Sequence, residues 1–213
     1  FRDERVGRII ADDTPVKLVD TTRLVLHIVP LAAASRGFAI DLRKLKAGNL
    51  RPVYCDSWAS SFNLDGLLVV GDPNGDMSHT YTQFFRDGSV EVVLTTIADE
   101  KHVYPSTRIE PHMVKTTKGY LPILVDVGAA YPFALTATLL GMKGLGPPPG
   151  NWGERTGTLL PRDVVFLPDV VLETDDADFA SVLRPTFDAL WQSLGHEGSP
   201  NYSAKGEWTG KTK

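Results

Sequence analysis

The chain has 213 residues, 42% of them apolar and 23% charged, with a formal charge of −4 and a pI near 5.7. That length and balance suit a globular fold with a substantial core, and the weak acidic charge leaves no global basic field for nucleic acid. One cysteine, Cys55, excludes internal disulfides and thiol-rich zinc sites and fits a reducing compartment.

No apolar run approaches the roughly 18 residues of a membrane span. Arg2, Asp3, Glu4 and Arg5 make the start too charged for a signal-peptide core. The chain opens at Phe1 rather than Met, inside a predicted helix, so it is expected to be a fragment of something longer. In residues 1–11, Phe1, Val6, Ile9 and Ile10 share one helical face opposite Arg5 and Arg8, which predicts a short amphipathic connecting helix. Residues 23–31 are dense in branched apolar side chains and predict a buried strand. Asp41 is placed to cap a short helix over 42–47, which Gly48 and Asn49 end.

Residues 49–63 read as a long loop, with Trp58 and Phe62 folded back onto the body. A strand is predicted at 67–70, then a turn over Asp72, Pro73, Asn74, Gly75 and Asp76. Residues 79–86 and 90–96 flank Asp87-Gly88 and predict a β-hairpin. Thr107 and Glu110 have the spacing of a capping box, opening a helix to about residue 126 in which Pro122 should distort or end the last turn. Strands follow at 131–141 and within 163–173, separated by a proline-rich surface loop at 144–157. The last helix spans about 177–194. Pro185 should kink it and Gly195 cap it. Tyr202 and Trp208 predict that the polar tail, 195–213, docks on the body.

This order, with hairpins beside two long helices and no βαβ alternation, predicts one α+β domain over 1–213. Its mainly antiparallel sheet should have about five or six strands flanked by helices. The expected core comprises Leu24, Leu26, Ile28, Leu68, Val70, Phe84, Val92, Leu135, Leu139, Phe187, Leu190 and Trp191.

Motifs with a chemical meaning fail on inspection. Gly141, Gly144, Gly146 and Gly150 resemble a phosphate loop, but Pro147, Pro148 and Pro149 offer no N–H to an anion. Gly210-Lys211-Thr212 lacks the upstream glycine of a P-loop, Lys205 standing there. Asp72, Asn74 and Asp76 begin like a calcium loop, but Met77 and Gln83 stand where the turn glycine and the bidentate acid belong. His27, His79, His102, His112 and His196 show no metal-ligand spacing, and His27 reads as a satisfied core residue. Asp175, Asp176 and Asp178 are explained by the helix they precede, although paired carboxylates also serve nucleases. Arg2, Arg5 and Arg8, like Arg43, Lys44 and Lys46, have acids nearby and read as solvated surface. No catalytic residue, cofactor or metal site is assigned.

The candidate binding surface joins Trp58, Phe62, Asn63 and Asp65 to Tyr81, Gln83 and Arg86 of the hairpin, a mixture of aromatic, amide and guanidinium groups. The plainer alternative is that Trp58 and Phe62 plug the core edge and Arg86 pairs with Asp87 or Glu91.

Segments along nearly the whole chain resemble a known family: residues 1–16 (FRDERVGRIIADDTPV), 24–31, 62–69, 81–93, 139–145 and 187–202 (FDALWQSLGHEGSPNY). They resemble the C-terminal region of bacterial proteins whose N-terminal half is a Schlafen-type AlbA_2 domain, described as DNA-binding or ATP-binding. The resemblance implies a bacterial, cytoplasmic protein connected with defence, whose nucleic-acid-handling element lies upstream. It brings no active-site residue. The functional expectation is a non-catalytic accessory domain, with no membrane partner, that binds its upstream domain or itself. The alternative is a GAF-like small-molecule sensor, and a metal-dependent nuclease ranks last.

Overall fold

The computed structural model describes residues 1–35, 37–73, 75–149 and 157–210. Their elements run α1 (Arg2–Ile10), β1 (Arg23–Pro30), β2 (Trp58–Phe62), β3 (Gly66–Gly71), β4 (Thr80–Phe85) and β5 (Val90–Leu94). Then come α2 (Glu110–Asp126), β6 (Phe133–Leu140), β7 (Val165–Phe166), β8 (Val170–Leu172) and α3 (Phe179–Ser193). The eight strands form one sheet in the order β2-β3-β4-β5-β1-β6-β7, with β8 also on β6, and every named pair is antiparallel. The α+β class stands as predicted, with more strands than the five or six expected.

Alternation along the strands builds three layers. Leu24, Leu26 and Ile28 of β1, with Phe84, Val92 and Leu139, face α2 and α3 and form the main core. Val25, Tyr81, Val93 and Leu140 face the other way and bury Val6 and Ile9 of α1. Of the expected core, only Val70 is half-buried, and Leu68 lies on the α1 side rather than in the main core.

The hairpin forms as predicted. Phe85 N–H donates to Ser89 O and Ser89 N–H to the Asp87 carboxylate, with Gly88 at φ +79°. The Asp41 cap also forms, its carboxylate accepting from Arg43 N–H, over a single 3₁₀ turn, Leu42–Lys44.

Other expectations need correction. Residues 49–63 are not all loop, because Trp58–Phe62 pairs with β3 as an edge strand. Its W-A-S-S-F run is too short and too polar to announce itself. The strand expected within 163–173 is broken into β7 and β8 around Leu167-Pro168-Asp169. Thr107 does not cap α2. A π turn, Pro105–Ile109, leads into the helix, and the Glu110 carboxylate is taken by distant partners. Pro122 does not end α2, which runs four residues further. Arg5 is no solvated residue: it is buried beneath α1. Gly150, Asn74 and the Lys211-Thr212 end of the rejected P-loop lie outside the described residues.

Candidate interaction surface

The β2–β3 corner is where most of the proposed binding residues meet. Asn63 N–H donates to Gly66 O, and the Asn63 side chain accepts from Gly66 N–H at 2.8 Å. Asn63 Nδ2 donates to Gln83 Oε1 at 2.7 Å, tying the turn to buried β4. Arg86 crosses the same turn, Nε donating to Leu64 O at 3.0 Å and Nη2 to Asn63 O at 3.3 Å. Arg86 N–H donates to Asp65 O. Asn63, Asp65, Gln83 and Arg86 therefore build a rigid corner. Arg86 pairs with carbonyls, not with Asp87 or Glu91 as the plainer alternative had it.

That corner presents apolar surface. Phe62 is 61% exposed and Leu64 90% exposed. Phe62, Arg86, Arg43, Asp41 and Ile40 line a cleft of about 410 Å³. Phe62 thus does not fold back as predicted. Leu64, the most exposed large apolar side chain among the described residues, was missed, since nothing local in the sequence tells an outward leucine from a core one.

The other two candidates lie elsewhere. Trp58 sits at the far end of β2, half-buried against the main core, with the Arg51 guanidinium 5.6 Å from its ring centre. Tyr81 is fully buried on the α1 face and cannot belong to a surface. Its hydroxyl donates to Glu91 Oε1 at 2.9 Å, and burial beside that carboxylate raises its pKa well above the ordinary value.

Glu91 is the centre of a buried polar cluster. Arg5 donates to both carboxylate oxygens, at 2.9 and 2.8 Å, and His27 Nε2 lies 3.1 Å from Oε2. His27 Nδ1 lies 3.3 Å from Thr136 Oγ1, so His27 is the satisfied core residue expected. Burial alone would push the Glu91 carboxyl up. The hydrogen bonds from His27 and Arg5 outweigh it and hold it down at about 2. Arg, His, Glu and Tyr in contact resemble a catalytic set. All four are sealed under α1, however, and their charged hydrogen bonds are spent on one another, which is how a clamp is built.

A second buried acid works differently. Among the described residues Glu110 has no cation beside it, and it accepts from Trp191 Nε1 at 2.6 Å, Ser199 Oγ at 2.8 Å and Asn201 Nδ2 at 2.8 Å. Burial raises its pKa, and these donors only partly offset that. Through Ser199 and Asn201 it anchors the tail, while Tyr202 and Trp208 settle on the main core. Within the tail, Ser199, Asn201, Tyr202 and Trp208 thus contact the body.

His112 is fully buried on α2, and among the described residues neither ring nitrogen has a hydrogen-bond partner; Thr116 Oγ1, one turn on, is in the same position. Burial, with Lys115 nearby, lowers the His112 pKa to about 3. Tyr54 lies against it, ring centres 5.9 Å apart, at a left-handed φ of +61°. Tyr54 also borders a cleft of about 370 Å³ with Leu94, Thr96, Thr107 and Arg108. Cys55 is buried and donates to Ser57 O. Among the described residues no three His, Cys, Asp or Glu side chains stand together as a metal site, and no helix is long and apolar enough to cross a membrane.

Compared with protein-family models, curated proteins and solved structures, the chain matches none.

Proposed function

We propose that this chain is a non-catalytic accessory domain of a bacterial, cytoplasmic protein of the Schlafen AlbA_2 type. It acts by contact with a linked upstream domain or with itself. The observation that carries the reading is the β2–β3 corner, where a hydrogen-bonded frame of Asn63, Gln83 and Arg86 holds Phe62 and Leu64 out in solvent. A rigid support under exposed apolar side chains is what an interface needs. The test is association of the chain with its linked domain and with itself, before and after Phe62→Asp and Leu64→Asp. Both variants should stay folded, because both side chains are exposed, and both should lose binding. Unchanged binding would move the surface elsewhere. The purified chain should also neither hydrolyse ATP nor cut DNA or RNA with magnesium or manganese. Activity abolished by Asp176→Ala would overturn the reading in favour of a nuclease.

The sensor reading has one specific observation in its favour, His112 behind Tyr54, unpartnered among the described residues. Buried polar atoms of this kind are normally met by water or a ligand. A small molecule that raises the melting temperature of the chain, but not of Tyr54→Ala, would favour it.

A further inference from the structure

We infer that the open edge of β2 pairs with β2 of a second copy of this chain, antiparallel and centred on Ser60, to make one sheet continuous across a two-fold axis. The inference rests on the accessory-domain reading and names the partner.

The two edges of the sheet are treated differently. At the β6 side, β7 has two residues and β8 three, with Pro168 between them, and Arg2 Nη1 holds Asp169 at 2.6 Å. Short strands, proline and charge are the usual means of stopping a sheet from growing. β2 is longer than either of these and has no proline or charge within it. Its five residues, Trp-Ala-Ser-Ser-Phe, carry no charge, no proline and no glycine, and on one side they pair with β3 throughout. On the other side no strand among the described residues pairs with them.

The ladder decides which groups point outward. Asp72 N–H donates to Ser57 O and Asn63 N–H to Gly66 O, so the odd-numbered residues are hydrogen-bonded to β3. The N–H and C=O of Ser60 and Phe62 therefore face away from the sheet.

The occupant follows from self-complementarity. A two-fold axis makes like strands antiparallel and demands that the same patch serve both copies. With Ser60 opposite Ser60 of the second copy, each Phe62 lies opposite the other copy's Trp58, and each Ala59 opposite the other copy's Ser61. Trp58 and Phe62 project to the same face as Ser60, so two aromatic cross-strand pairs flank the axis, and small residues meet on the opposite face. Beyond the strand, Asp56 comes opposite Leu64, so no like charges face each other. The edge also holds its shape, because Trp58 is seated on the main core at one end and Arg86 braces the turn at the other. An interface this short falls at the small end of specific contacts, below about 1,200 Å².

The experiment follows oligomeric state by sedimentation across a concentration series, for the chain and for two edge variants. Ser60→Pro removes an N–H that points away from β3, and Phe62→Lys changes an exposed side chain, so both should keep the melting temperature of the monomer. The unmutated chain should dimerise reversibly, and each variant should weaken the dimer by about tenfold or more. Ser60→Cys should crosslink to itself on oxidation, because directly opposed residues of a hydrogen-bonded pair have Cα atoms about 5.5 Å apart. Ser61→Cys alone should not, and the unmutated chain, whose only thiol is buried, is the control.

A chain monomeric at every concentration overturns the inference. So does a dimer indifferent to Ser60→Pro and Phe62→Lys, or one crosslinked through Ser61→Cys. A monomer that still binds its linked domain through Phe62 overturns the self-pairing and leaves the accessory role standing.

Discussion

Gly88 shows how one residue decides a turn. Its φ of +79° is open to glycine, and a Cβ there would stand 3.1 Å from Ile40 Cγ2 and 3.3 Å from Pro30 Cγ. Gly88→Val should therefore cost about 1 kcal/mol for the backbone and more for the crowding, seen as a lower midpoint in urea. His112 sets a pH dependence. Its folded pKa, about 3, lies below its ordinary 6.5, so the unfolded chain binds the extra proton between those values. Stability should fall as pH drops from 6.5 towards 3, by about 1.4 kcal/mol per unit. Glu91, depressed from 4.5 to about 2, adds loss in the same direction below pH 4.5, whereas Glu110, raised, works against it. His112→Met should flatten the upper part of this profile. At neutral pH the substitution should cost little, because it removes two unsatisfied nitrogens along with the ring. Chemical denaturation at a series of pH values measures both effects.

At the scale of elements, the acidic cluster before α3 separates into distinct roles. Asp178 is the cap, its carboxylate accepting from Ala180 N–H and from Ser181 Oγ, while Asp176 is exposed and accepts from Thr174 Oγ1. Asp178→Ala should cost about 1 kcal/mol, and Asp176→Ala should stay within about 0.5 kcal/mol, as thermal melts can show. The Thr107–Glu110 pair shows the opposite outcome. Its capping-box spacing is real, but one carboxylate cannot serve both the helix start and Trp191, Ser199 and Asn201, and the buried partners take it. Trp58–Phe62 became a strand for a similar reason. Its neighbour β3 supplies the ladder that five weakly patterned residues could not announce.

Across the whole molecule, the tail is part of the fold. Ser199 and Asn201 donate to the Glu110 carboxylate, which has no counter-ion among the described residues, and Trp208 packs on Phe187 at 5.7 Å between ring centres. Removing residues 197–213 should leave Glu110 with Trp191 alone and destabilise the chain by about 3 kcal/mol or more. Calorimetry reads this directly; an unchanged melting temperature would make the tail a passive appendage. The α1 helix is bound by the same logic on the other face, through Arg5 and Glu91, so each terminal segment is fastened by one buried carboxylate.

The sequence by itself determined the elements with strong internal period or strong turn chemistry. β1, the β4–β5 hairpin, β6 and α3 declare themselves because alternation, Asp87-Gly88 or helical spacing acts between residues close in the chain. It likewise placed Asn63, Gln83 and Arg86 in one region, since a hairpin brings neighbours together. Tertiary structure alone decided what depends on which face a side chain meets. Arg5 looked solvated until Glu91, 86 residues away, lay beneath it. Tyr81 and Phe62 looked equally available, yet the pleat buries one under α1 and turns the other to solvent. Charge and aromatic character are local, whereas burial, pairing and an open edge belong to strands that meet only after folding.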